Sequence, residues 1–99
     1  MRVNHITIHE RPSNSNQVTI HICENAFEAI GKPTHIVFSE TNLRLKVPSI
    51  ISNGEKRLAT GMYKPQITPI IHHTPIASLV GKWEYEVDDL SIYLTNKIS

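Results

Sequence analysis

The sequence predicts a mainly β (α+β) fold: one small barrel built from two copies of a strand-strand-helix-strand-strand unit. Three observations carry this. Short apolar/polar alternations recur along the chain. Two short amphipathic segments, "ICENAFEAIGK" and "HHTPIASLVGK", lie fifty positions apart, and each ends in Gly-Lys. The residues around them superpose in order. At an offset of 50, Ile20 meets Ile70, Ala26 meets Ile76, Ala29 meets Leu79 and Ile30 meets Val80. Past the helix the offset falls to 47, and Ile36 meets Trp83, Phe38 meets Tyr85, Leu43 meets Leu90, Leu45 meets Ile92 and Val47 meets Leu94. A unit this short cannot bury its own faces, whereas two together can close a barrel about a pseudo-twofold axis.

Each element has a local reason. "VNHITIHE" alternates, with Ile6 and Ile8 on one face and His5, Thr7 and His9 on the other, which is a half-buried strand. "RPSNSNQ" is a loop. "VTIHI" is a second strand with Val18, Ile20 and Ile22 inward. "ENAFEAI" spaces Ala26, Phe27 and Ile30 as a two-turn helix. Gly31 supplies the left-handed residue that closes it, and Pro33 forbids continuation. "HIVF" and "LRLKV" flank the turn "SETN". Asn53-Gly54 is a turn signal near the boundary between the halves, 1–50 and 56–99, of a single domain spanning 1–99. "LATGMY" and "QITPII" read as weaker strands, the second an edge or a bend because of Pro69. Thr74 is the expected N-cap and Pro75 the first residue of a second helix over 75–80, ended by Gly81. "WEYEV" and "LSIYL" form a hairpin around Asp88-Asp89. Leu43, Leu45, Val47, Leu90, Ile92 and Leu94 are expected to share the core.

Composition bounds the function. The chain has 99 residues, 39% apolar and 19% charged, which is ordinary for one globular domain. Ten Lys and Arg against nine Asp and Glu leave a net charge of +1, so charge alone offers no general attraction to nucleic acid or membrane. Cys23 is the only cysteine, which excludes an internal disulfide and a multi-cysteine zinc site and reads as a buried thiol. No apolar run approaches a membrane span and no signal peptide is legible, so the expectation is a soluble, cytoplasmic protein.

The unit resembles the swapped-hairpin barrel of the AbrB/SpoVT family. The resemblance is best over residues 3–48, on "HITIHE", "QVTIHI", "EAIG" and "HIVFSETNLRLKV", and weaker over 58–96. The tandem arrangement is similar to MraZ, and other cradle-loop barrels share the pseudo-symmetry. The resemblance implies a non-enzymatic, DNA-binding transcriptional regulator without cofactor, using cations of the first loop and around the helix. Carried onto this chain, the candidates are Arg2, Arg11, Lys32 and Lys82 for phosphate, with Asn14, Asn16 and Gln17 for phosphate or base edges. The chain departs from the family in having "IHICEN" where an Ile-Pro-Xaa-Glu stretch is typical, and its helix carries Glu24 and Glu28 and no Arg.

Other constellations stand beside that reading. His9 and His21 become neighbours if the first two strands pair, yet no carboxylate or cysteine completes a metal-ligand spacing, so the expectation is no metal and solvent-facing polar positions. His72-His73 before Thr74-Pro75 offers an anion site at a helix entry, against which stands a simple capped start. Trp83 and Tyr85 share a strand face that stacks bases or fills the core, and the match to Ile36 and Phe38 favours the core. Glu84, Glu86, Asp88 and Asp89 make an acidic edge, either a solvated one or a dock for a basic partner. The alternatives to a regulator are therefore a non-catalytic, phage-type inhibitor or adaptor that blocks a host protein, and a binder of small anionic ligands. A homodimer is compatible with all three.

Overall fold

The computed structural model describes residues 5–13, 16–47, 58–59 and 65–98. The expected Asn53-Gly54 turn, the boundary between halves and most of "LATGMY" lie outside the described residues. Within them the chain forms β1 (Ile6–Glu10), β2 (Val18–His21), α1 (Glu24–Ala29), β3 (His35–Ser39), β4 (Arg44–Lys46), β5 (Leu58–Ala59), β6 (Gln66–Ile67), α2 (Ile76–Leu79), β7 (Gly81–Asp88) and β8 (Ser91–Lys97). The strands pair antiparallel in the order β5-β3-β4-β8-β7-β1-β2-β6, and seven of them make a nearly closed barrel. Among the described residues no helix is long and apolar enough to cross a membrane.

Exchanging β1–β4 with β5–β8 maps every neighbouring pair of strands onto another neighbouring pair except β1–β2, whose counterpart β5–β6 is the gap in the barrel, and each half inserts its third strand beside the first strand of the other. The register carries the same relation. Ile20 pairs with Ile67, and moving the first forward and the second back by fifty places gives the bridge between Ile70 and Gln17. Across β4 and β8, a shift of 47 converts Arg44–Tyr93 into Lys46–Ser91 and returns Leu45–Ile92 to itself.

Alternation decides what fills the barrel. Ile6, Ile8, Val18, Ile20, Ile36, Leu45, Ile67 and Ile92 are almost wholly shielded, joined by Ala26, Ile30, Leu79, Trp83 and Leu94. Leu43 and Val47 pack partly against this cluster. Leu90 does not join it and is 41% exposed. Asp88 pairs with Ser91, so the turn is Asp89-Leu90 rather than Asp88-Asp89. Asp89 accepts the left-handed φ of 55° that starts this tight turn, and Leu90 is carried to its tip instead of into a strand.

Helix α1 ends as its sequence dictates. The Gly31 N–H donates to the Glu28 carbonyl and the Lys32 N–H to the Phe27 carbonyl, 3.0 Å each, with Gly31 at φ 85°. This pair of bonds is the Schellman closure that a left-handed residue permits. Phe27 is half-buried against the core, so Phe27→Ala is expected to cost about 2 kcal/mol in a urea unfolding experiment, below a fully enclosed phenylalanine. Helix α2 differs from expectation. Its N-cap is Pro75, with no side-chain cap, and it ends at Leu79 with Val80 extended. Gly81, at φ 144°, opens β7 rather than capping the helix.

Candidate functional site

The outward face of β2, β1 and β7 carries the densest set of polar side chains near the first loop. His21 stands opposite Thr7, and Thr7 opposite Lys82. His9 stands opposite Thr19 in the next row. The two imidazoles meet edge to face, ring centres 5.1 Å apart at 81°. Their neighbours on this patch are hydroxyls and an exposed lysine, with no carboxylate among these five residues. Glu84 lies further along β7, and Glu10 points to the other side of β1 by alternation until the strand ends. Among the described residues, no group of three or more His, Cys, Asp or Glu is placed to hold a metal ion.

The loop candidates divide. Arg11 is half-buried, its Nε shielded and without an acceptor. Asn16 is exposed, and its carbonyl accepts from the Ile71 N–H at 2.7 Å. Gln17 is engaged in the barrel: its Nε2 donates to the Thr68 carbonyl at 2.6 Å. Arg2 and Asn14 lie outside the described residues. Lys32 is exposed at the far end of α1, 4.0 Å from Glu28. The first loop and α1 leave opposite ends of β2, whose four residues span about 13 Å at about 3.3 Å per residue. Arg11 and Lys32 are therefore not neighbours, while Lys82 shares a sheet face with His21.

On β7, Glu84, Glu86 and Asp88 alternate outward with Trp83, Tyr85 and Val87, and Asp89 follows in the turn. No ion pair engages these four acids among the described residues. Val87 and Leu90 are exposed beside them at the hairpin tip, 38% and 41%. Trp83 fills the core, as its match to Ile36 indicates, and donates its indole N–H to the Leu79 carbonyl at 2.8 Å. Tyr85 Oη lies 3.3 Å from the buried Cys23 Sγ. Burial pushes the phenol up to about 12, and the contact with Cys23 adds to the shift. An open cleft of about 450 Å³ beside it is lined by His5, Glu84, Tyr85 and Ile98.

The helix-entry anion site is already filled by this chain. Glu40, in the turn between β3 and β4, accepts the backbone N–H groups of His72 (2.8 Å), His73 (3.0 Å) and Thr74 (2.9 Å). Thr74 is consequently a donor to Glu40 and not the N-cap of α2. Partial burial raises the Glu40 carboxyl, but the three N–H bonds and the Thr74 side chain outweigh it and lower it from 4.5 to about 2. Sequence reasoning missed this residue. A single Glu in a turn has no pattern to mark it, although the row of free N–H groups at 72–74 did point to an anion. It also passed over Arg44 and Lys46, whose spacing of two on a strand was the signal that they share an outer face.

In comparisons with protein-family models, curated proteins and solved structures, no match is found. The class defined by fold and site is a nearly closed antiparallel barrel with, among the described residues, two short helices and polar outer faces.

Proposed function

We propose that the chain is a cytoplasmic DNA-binding regulator of AbrB-like type, with the pseudo-twofold swapped-hairpin form of the cradle-loop barrel. The observation that carries this reading is the outward patch of Lys82, His9, His21, Thr7 and Thr19, which adjoins the loop of Arg11 and Asn16 at the end of the face away from the acidic run that begins at Glu84. Hydroxyls, imidazoles and a lysine on a rigid sheet donate to phosphate oxygens without selecting a sequence. Asn16 lies exposed on the adjoining loop, and an amide there is the chemistry that reads a base edge. Lys32, beyond α1, lies apart from this surface. Fluorescence anisotropy with a mixed-sequence duplex tests the reading. Neutralising Arg11 and Lys82 together is expected to weaken binding to every duplex and to reduce the slope of log affinity against log salt by roughly 2, about one for each phosphate that is no longer neutralised. Lys32→Ala leaves that slope unchanged. No binding at low salt by the folded wild type overturns the reading.

A second reading, an inhibitor or adaptor that blocks a host protein, rests on the hairpin tip. Val87 and Leu90 stand exposed among Glu86, Asp88 and Asp89, the composition of a dock for a basic, partly apolar surface. The third reading, a small-anion binder, loses its best position, because Glu40 occupies the N–H groups of residues 72–74.

A further inference from the structure

We propose that the outer face of β7, β8 and β4 is a self-complementary interface between two copies of this chain. Leu45 and Ile92 are fully buried, so the residues flanking them, Arg44, Lys46, Ser91 and Tyr93, point outward. The register aligns them in two rows. Glu86 stands opposite Tyr93, and Tyr93 opposite Arg44; Asp88 stands opposite Ser91, and Ser91 opposite Lys46. The face therefore carries an acidic column on β7, a neutral column on β8 and a basic column on β4. Adjacent strands are about 4.8 Å apart, which puts the charged columns about 10 Å from each other. No ion pair joins them within the chain among the described residues, and Arg44 Nε has no acceptor.

This pattern selects one symmetric arrangement. A twofold axis running along β8 lays one copy face to face on the other. It sets Glu86 over the second copy's Arg44 and Asp88 over its Lys46, each contact occurring twice, with Tyr93 and Ser91 nearest the axis. An axis at right angles to β8 in the same face places acid over acid and base over base. Like charges brought together disfavour it. A foreign basic partner seated on β7 leaves Arg44 and Lys46 opposed by nothing, whereas a second copy matches both columns at the same spacing and in the same rows. Half-buried Tyr93 supplies an aromatic centre. Three short strands of a convex barrel offer a small contact area, so the dimer is weak and sensitive to salt. The contact is between outer faces and exchanges no strand.

The inference is independent of the DNA-binding reading and is tested without DNA. Sedimentation equilibrium of the wild-type chain, from micromolar to millimolar, is expected to show a monomer–dimer equilibrium. Its dissociation constant should rise at least roughly tenfold from low to high salt. The all-basic variant, Glu86→Lys with Asp88→Lys, and the all-acidic variant, Arg44→Glu with Lys46→Glu, should each be monomeric. Mixing them should restore a one-to-one heterodimer, because both contacts are then between opposite charges. If a reversal unfolds the chain by circular dichroism, the neutral Glu86→Gln, Asp88→Asn variant takes its place and should abolish the wild type's salt-sensitive dimer. A wild type that stays monomeric throughout overturns the proposal, including one that remains a monomer while capturing a basic protein. So does a dimer that survives in the variants, and so does a mixture of folded variants that fails to associate.

Discussion

Trp83→Ala is expected to remove about 4 kcal/mol from the unfolding free energy, more than the loss expected at Phe27 or Glu40. The indole is 8% exposed and packs in the main cluster, where β7 crosses β1 beside Ile6. Its N–H also closes the end of α2 by donating to the Leu79 carbonyl. A helix of four residues cannot stand by its own propensity, because nucleation costs more than one turn returns. It is held by Leu79 in the core and by this bond. Alanine creates a cavity and leaves a shielded carbonyl without a donor. Trp83→Phe separates the two effects: it keeps most of the apolar volume and is expected to cost about 1–2 kcal/mol for the lost hydrogen bond and the smaller ring. Trp83 is the only tryptophan, so unfolding must be followed by circular dichroism rather than by its emission. A loss below about 1 kcal/mol for the alanine variant means that the indole is not a core residue.

Glu40→Gln is expected to cost about 1–2 kcal/mol near neutral pH, with the cost shrinking as the pH falls from about 4.5 and vanishing only below about 2. Hydrogen bonds to a charged acceptor are stronger than those to an amide, and a half-exposed site is discounted for screening by water. The sign follows from proton uptake. Folded Glu40 ionises at about 2 and the unfolded group near its ordinary 4.5, so between those values the unfolded state binds more protons. The contribution of Glu40 is therefore fully present above about pH 4.5 and is lost as the pH falls through about 2. Urea unfolding of both proteins across that window measures it. Two curves that stay parallel in pH refute the role given to the carboxylate. Because Glu40 bridges the β3–β4 turn to the chain entering α2, the Gln variant should also lose protection against amide exchange at His72, His73 and Thr74.

Sequence by itself determined the elements whose causes are local. The inward faces of β1, β2, β4 and β8 follow from alternation, since successive side chains on a strand must point to opposite sides. Gly31 ended α1 because only a residue at ease with positive φ closes a helix that way. The match of the two halves at an offset of 50 reappears in the pairs Ile20–Ile67 and Gln17–Ile70, because a repeated pattern repeats its pairing. Tertiary structure alone decided the rest. Leu90 reads as the first apolar residue of a strand, yet a shift of one residue in the turn sends it to the surface. Gln17 looked free to contact a ligand, but it is held by Thr68 from the other half of the chain. Glu40 found its three donors 32 to 34 residues away, and nothing in the spacing of the chain encodes that meeting. The rows Glu86–Tyr93–Arg44 and Asp88–Ser91–Lys46 exist only once two registers are set in series, β7 on β8 and β8 on β4. Periodicity fixes the side of a strand on which a residue stands; which residue stands beside it depends on how strands distant in sequence come to pair.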